Sequence, residues 1–158
     1  VDETILPTVR PALVGWKSTT DAFNFDRALF KLRNDASKFE EGSPNYVGIY
    51  GMGATIEMLQ QIGLSTIESH IRNLLEYTEK ELLSMGCHVS PPPTSRGGIL
   101  MIEPPKGDPQ ALYDRLSAQN IRVSLRRGRI RISPHIYNSK EDMEKLVSEI
   151  HWYLKRCD

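Results

Sequence analysis

Apolar residues recur at three- and four-residue spacing from Tyr46 onward, through Ile49, Met52, Ile56 and Leu59, and the run stops at Gly63. That is the period of one helical face, with a glycine where helices end. A second, longer helix is predicted after it. Ser65-Thr66-Ile67-Glu68 reads as a capping box, in which the hydroxyl accepts from the amide of Glu68 and the carboxylate reaches back. Ile67, Ile71, Leu74, Leu75, Leu82 and Leu83 mark its buried side, and Met85-Gly86 its end. The pattern then changes to short apolar runs of strand type. These are Cys87-His88-Val89 and Gly98-Ile99-Leu100-Met101-Ile102, with the stiff Pro91-Pro92-Pro93 between them.

Asp108 followed by Pro109 is an N-cap with proline in the first turn, so a helix is expected to about Gln119. Beyond it the period drops to two. Ile121, Val123 and Leu125 alternate with Arg122, Ser124 and Arg126, and Ile130 and Ile132 alternate with Arg129 and Arg131. This predicts a hairpin turning at Arg127-Gly128, with one greasy face and one arginine-rich face. Asn138 and Glu141 are expected to cap a last helix whose stripe is Met143, Leu146, Val147, Ile150 and Leu154. The order helix, strand, strand, helix, strand, strand, helix places the chain in the α/β class as an α+β sandwich. Its sheet should be mostly antiparallel and covered by helices on one side.

Residues 1–45 carry no sustained period, and Pro7, Pro11, Gly15, Gly42 and Pro44 break them into short pieces. A segment of that length without regular structure of its own is expected to pack against another surface. The alternative is a mobile arm with a short helix around Asp26 to Phe39. The chain therefore divides into a bridging segment, 1–45, and a small α/β domain, 46–158. No internal repeat is evident.

Composition removes several function classes. The 158 residues are 39% hydrophobic and 25% charged, which excludes disordered and collagen-like chains. Formal net charge is zero and the pI is about 7.1, so no global field is available to hold nucleic acid or a membrane surface. Cys87 and Cys157 are too few for a disulfide framework and lack metal-ligand spacing, as do the scattered His70, His88 and His151. No metal is expected, and a reducing cytoplasmic setting is. No apolar run approaches a membrane span, and no signal-peptide pattern opens the chain. The start at Val1-Asp2-Glu3, without Met, points to processing or to excision from something longer.

Two stretches carry candidate chemistry. One is Lys38-Phe39-Glu40-Glu41-Gly42-Ser43-Pro44-Asn45, leading into Gly48-Ile49-Tyr50-Gly51-Met52-Gly53-Ala54. Here a small hydroxyl flanked by Gly42 and Pro44 lets side chain and backbone approach an anion near a helix N-terminus. The plainer reading is a turn that caps the next helix. The other stretch runs from Ile121 through Arg131-Ile132-Ser133-Pro134-His135-Ile136-Tyr137-Asn138. A guanidinium held on a strand presents a planar fork suited to a carboxylate. Arg126, Arg127 and Arg129 read as solvated hairpin charges, and Arg131 could be another. Five arginines from Arg122 to Arg131 also raise a nucleic-acid patch, which ranks low because no aromatic residues interleave with them.

Together these stretches resemble the signature regions of class V aminotransferases, a family that includes cysteine desulfurases, kynureninases and isopenicillin epimerase-like enzymes. The Ile-Gly-Leu-Ser-Thr-Ile-Glu-Ser-His helix start and the closing Tyr-Asn-Ser-Lys-Glu-Asp helix match too, so the resemblance covers nearly the whole chain. It implies the small C-terminal domain of a fold-type I pyridoxal 5'-phosphate enzyme, acting as a homodimer on an amino acid or keto acid. By position it implies that Ser43, with Asn45, reaches the cofactor phosphate of the opposite subunit and that Arg131 holds the substrate carboxylate. The family more often has Thr at Ser43 and Arg at Lys38. His135 and Tyr137 are assigned to supporting that site rather than to touching substrate, and Trp16 to packing.

The resemblance also implies a Schiff-base lysine on a larger domain upstream of Val1. Lys17, Lys31 and Lys38 are poor substitutes, so the fragment alone is expected to be inactive. Desulfurases in this family carry a nucleophilic Cys between the two arginine regions. Only Arg126 to Ile130 stand there, without a Cys, which favours an aminotransferase, epimerase or lyase over a persulfide-forming enzyme. The competing classes are a non-catalytic α/β interaction module and, less favoured, an RNA-binding domain.

Overall fold

The computed structural model describes residues 1–24, 30–92, 94 and 97–157. Asp26, where the alternative short helix of the first segment would start, and Pro93 lie outside them. The chain forms two compact units, Val1–Glu57 and Met58–Asp158, and the division falls inside a helix. The elements in order are α1 (Tyr46–Ile62), α2 (Leu64–Ser84), β1 (His88–Ser90), β2 (Leu100–Glu103), α3 (Pro109–Ala118), β3 (Ser124–Arg126), β4 (Arg129–Ile132) and α4 (Lys140–Leu154).

In the first unit the missing period is real. Among the described residues, two 3-10 turns, Trp16–Ser18 and Ala36–Phe39, and one antiparallel bridge between Thr19 and Leu32 are the regular structure ahead of α1. Side-chain ties hold the segment instead. Among the described residues, Ser18, fully buried, and Lys38, 6% exposed, are its buried polar groups. The Lys38 ammonium donates to the Leu6 carbonyl and stands 5.2 Å from the centre of the Phe39 ring. Such a buried cation is tolerable because a backbone acceptor and a ring face meet it.

The sheet of the second unit has strand order β1-β2-β4-β3, with every pair antiparallel. Period two sends Leu100, Ile102, Ile130 and Ile132 to one face, where all four are buried. Ile102 and Leu125 both stand opposite Ile130, so the greasy row crosses three strands. Leu74, Leu75 and Leu82 of α2, Leu112 and Leu116 of α3, and Leu146 and Ile150 of α4 close over that face. The hairpin turns where expected. Arg127 and Gly128 take φ values of 51° and 74°, the pair of left-handed residues that a two-residue turn between twisted strands requires. Asp108 accepts from the Gln110 amide at 3.0 Å, so the α3 cap is also as predicted.

Several local expectations shift. α2 begins directly after Gly63, whose φ of 92° makes a one-residue reversal from α1, and the predicted capping box at Ser65 lies inside the helix without serving as its start. Leu83 is 53% exposed and off the buried side, while Thr78 is buried and bonds back to the Leu74 carbonyl. β2 starts at Leu100 rather than Gly98, and Ile121 and Val123 precede β3 outside the ladder. The cap of α4 is Ser139 rather than Asn138, with Asp142 returning to the Ser139 amide at 3.0 Å. Ser139→Ala is accordingly expected to cost about 1 kcal/mol, read from the urea midpoint.

α1 is apolar along its length, yet none of its residues is buried. Val47 is 86% and Tyr50 78% exposed, with Ile49, Met52 and Ile56 about half exposed. Among the described residues no helix is long and apolar enough to cross a membrane, and no group of His, Cys, Asp and Glu could hold a metal ion.

Candidate functional site

The first candidate group sits at the start of α1. Gly42 and Pro44 bracket Ser43, whose side chain is exposed. Asn45 is the helix cap: its Oδ1 accepts from the Gly48 amide at 3.0 Å, and its carbonyl accepts from Ile49. A Cβ at Gly48 would stand 2.5 Å from Asn45 Nδ2, which accounts for the glycine. Asn45 caps, and Ser43 is presented outward beside a helix N-terminus. An open hollow of about 760 Å³ lies there, lined by residues 39–44 and Ile49. Of its two acids, Glu40 faces the Lys17 ammonium at 3.6 Å. A hydroxyl at a capped helix start fits one edge of a phosphate.

Of the three lysines of this unit, Lys31 is exposed and the other two are engaged. Lys38 is held on the Leu6 carbonyl, and Lys17 on Glu40. Trp16 packs edge-to-face on Phe23, with centroids 5.3 Å apart, in keeping with the packing role expected for it.

The second candidate group lies on the sheet. Arg131 stands in β4 on the face away from the core, directly between Met101 of β2 and Ser124 of β3, and is half-buried. Its strand neighbour Arg129 pairs with Glu103 at 3.3 Å, whereas no acid among the described residues pairs with Arg131. Arg126 and Arg127 are exposed. What sets Arg131 apart from Arg126 and Arg127, which also lack an acidic partner among the described residues, is that it is half-buried on the face away from the core.

The loop after β4 brings His135 and Tyr137 together, their rings stacked at 5.2 Å and 28°. Asn138 organises this loop. Its Oδ1 accepts from the His135 amide at 2.9 Å, and its own amide donates to the His135 carbonyl at 3.0 Å. His70, which sequence spacing left unassigned, meets the Asn138 carbonyl at 2.8 Å and so ties α2 to the loop that follows Arg131. A hollow of about 340 Å³ beside the loop has Tyr137 and Asn138 in its wall, but not Arg131. No period or motif signals Asn138 and His70 as a pair, because their contact joins residues 68 apart in sequence.

Cys87 is 3% exposed, and burial pushes its thiol up to about 11, so at neutral pH it is protonated and shielded.

A sequence profile of the aminotransferase class-V family matches residues 1–146. The chain belongs to the class-V aminotransferase family. Among its curated relatives, the uncharacterized aminotransferase YcbU of Bacillus subtilis (strain 168) is 25% identical over 154 residues, covering 95% of this chain and 39% of its own length. A cysteine desulfurase of Yersinia pestis (strain Pestoides F) is 27% identical over 126 residues, covering 70% and 30% respectively. Among solved structures, the apo cysteine desulfurase from Thermococcus onnurineus NA1 superposes with a TM-score of 0.84 at 25% identity, over 98% of this chain and 42% of that one. The cystine C-S lyase C-DES, solved with its product cysteine persulfide, shares the fold with a TM-score of 0.79 at 18% identity, over 95% of this chain and 40% of its own. A C-DES variant carries glycine covalently linked to its pyridoxal-phosphate cofactor. This class-V chain thus spans 30% to 39% of the length of these two curated relatives.

Proposed function

We propose that this chain is the C-terminal part, a bridging segment (1–45) and small domain (46–158), of a homodimeric pyridoxal-phosphate enzyme that acts on an amino acid or its keto acid. The observation that carries the reading is Arg131, half-buried on the open sheet face without an acidic partner among the described residues. A charge so placed awaits an anion from outside the chain, and the fork geometry of guanidinium selects a carboxylate. Ser43 and Asn45 contribute an edge contact to the cofactor phosphate. His135 and Tyr137, fixed through Asn138, shape the loop that follows Arg131. When bound, the cofactor supplies the electron sink for charge developing at the substrate's α-carbon.

Transamination, epimerisation or elimination fits better than persulfide formation, despite the desulfurase relatives. The β3–β4 connection is the two-residue Arg127-Gly128 turn, without a thiol, and Cys87 is buried and protonated. The bare apolar face of α1 speaks for a partner surface in the rest of the enzyme and against a stand-alone module, since soluble monomers rarely leave such a stripe uncovered.

The test is to mix the 158-residue chain with pyridoxal phosphate, reduce with borohydride and map lysine adducts by mass spectrometry. Scattered substoichiometric labelling is expected. A single stoichiometric adduct, at Lys17 for instance, would make the chain a catalyst in its own right.

A further inference from the structure

The turn at residues 15–18 does something that a packing role does not require. Ser18 is fully buried. Its Oγ accepts from the Gly15 amide at 3.1 Å and donates to the Glu40 carbonyl at 2.9 Å, across 22 residues of chain. The Lys17 amide donates to the next carbonyl, that of Glu41, at 3.4 Å. Gly15 lets that carbonyl come close: a Cβ there would stand 1.9 Å from Glu41 O and 2.6 Å from its carbonyl carbon. The demand is spatial, because the Gly15 φ of −137° is open to any residue. At Gly42 a Cβ would meet Trp16 Nε1 at 3.3 Å. Three consecutive residues, 40 to 42, are thus fitted to one turn, and Ser43 follows immediately.

On the other side of Ser43 the chain is equally fixed, by Pro44 and by the Asn45 cap of α1. The exposed hydroxyl is therefore bracketed by restrained backbone, in a unit that otherwise has little regular structure.

We propose that Ser18 and Gly15 are positioning residues for the phosphate contact of Ser43: they act through the Glu40 and Glu41 carbonyls to hold the loop that presents the hydroxyl. The inference rests on the reading of Ser43 given above. It adds that preorganisation of this hydroxyl comes from the turn at 15–18 rather than from the helix alone. A loop free to move loses the contact, even with the hydroxyl present.

The experiment uses the cofactor-loaded enzyme that carries this chain, with Ser18→Ala, Gly15→Ala, Ser43→Ala and the Ser18→Ala/Ser43→Ala double variant. Three quantities are read: the cofactor dissociation rate, the ³¹P resonance of the bound phosphate, and amide hydrogen exchange at residues 40–43. Ser18→Ala and Gly15→Ala are each expected to speed cofactor release roughly 10-fold, the size of one lost hydrogen bond to a charged group. Both should move the ³¹P resonance and raise exchange at 40–43. The double variant should release cofactor no faster than Ser43→Ala, because two changes acting through one contact do not add. If Ser43→Ala speeds release while Ser18→Ala and Gly15→Ala leave release and the ³¹P resonance unchanged, the positioning role is overturned and the Ser43 contact stands. Additive effects in the double variant overturn it equally. If Ser43→Ala itself changes nothing, the phosphate contact fails and the positioning role fails with it.

Discussion

Arg131→Ala in the complete enzyme is expected to raise the substrate KM about 100-fold, the loss of roughly 3 kcal/mol when a charge-assisted pair to a carboxylate is removed. Cofactor absorbance should not change, because the assigned contact is to substrate. Nor should the fold suffer much. Arg131 lies on the open face, and its backbone partners in β2 and β3 are unaffected by truncation, so a melting curve close to that of the parent is expected. Arg131→Lys should restore little, since a point charge lacks the planar two-donor fork. If the residue serves uniform binding, kcat holds while KM rises. Unchanged KM would remove Arg131 from the site and return it to the solvated charges of the hairpin.

How much of this was visible in the sequence depends on which force set each element. The hairpin was legible because period two, the Arg127-Gly128 turn and the exclusion of charge from the core all demand one register. The α3 cap was legible because Asp108 and Pro109 act within one turn. At α4 the expected Asn138 cap is displaced by one residue, because a local contact competes for its side chain. Asn138 is spent on the His135 amide, which leaves the cap to Ser139. At α2 the one-residue reversal at Gly63 overrode a sound local box at Ser65.

The candidate site divides in the same way. Arg131 and Ser43 are candidates by family pattern, since their chemistry is local to a motif. Ser18, Lys38 and the His70–Asn138 contact are not, because each is defined by a partner 22 to 68 residues away and leaves no periodic trace.

Hydrophobic period alone cannot say whether an apolar face is covered by its own chain, and a pair of substitutions separates the two cases. Ile102 is fully buried at the centre of the sheet, facing Ile130. Ile102→Ala should remove about 4 kcal/mol from the unfolding free energy of the 158-residue chain, combining lost transfer energy with the cavity left behind. Ile56 of α1 has the same apolar side chain in an element just as regular, but it is 46% exposed. Ile56→Ala should lower the same unfolding free energy by less than about 0.5 kcal/mol. Its effect should emerge in the complete enzyme instead, as weaker assembly in sedimentation. Equal losses from both substitutions in the isolated chain would mean that α1 belongs to an internal core. The predicted asymmetry would mean that the apolar face of α1 is left uncovered within these residues, unlike the sheet face on which Ile102 lies.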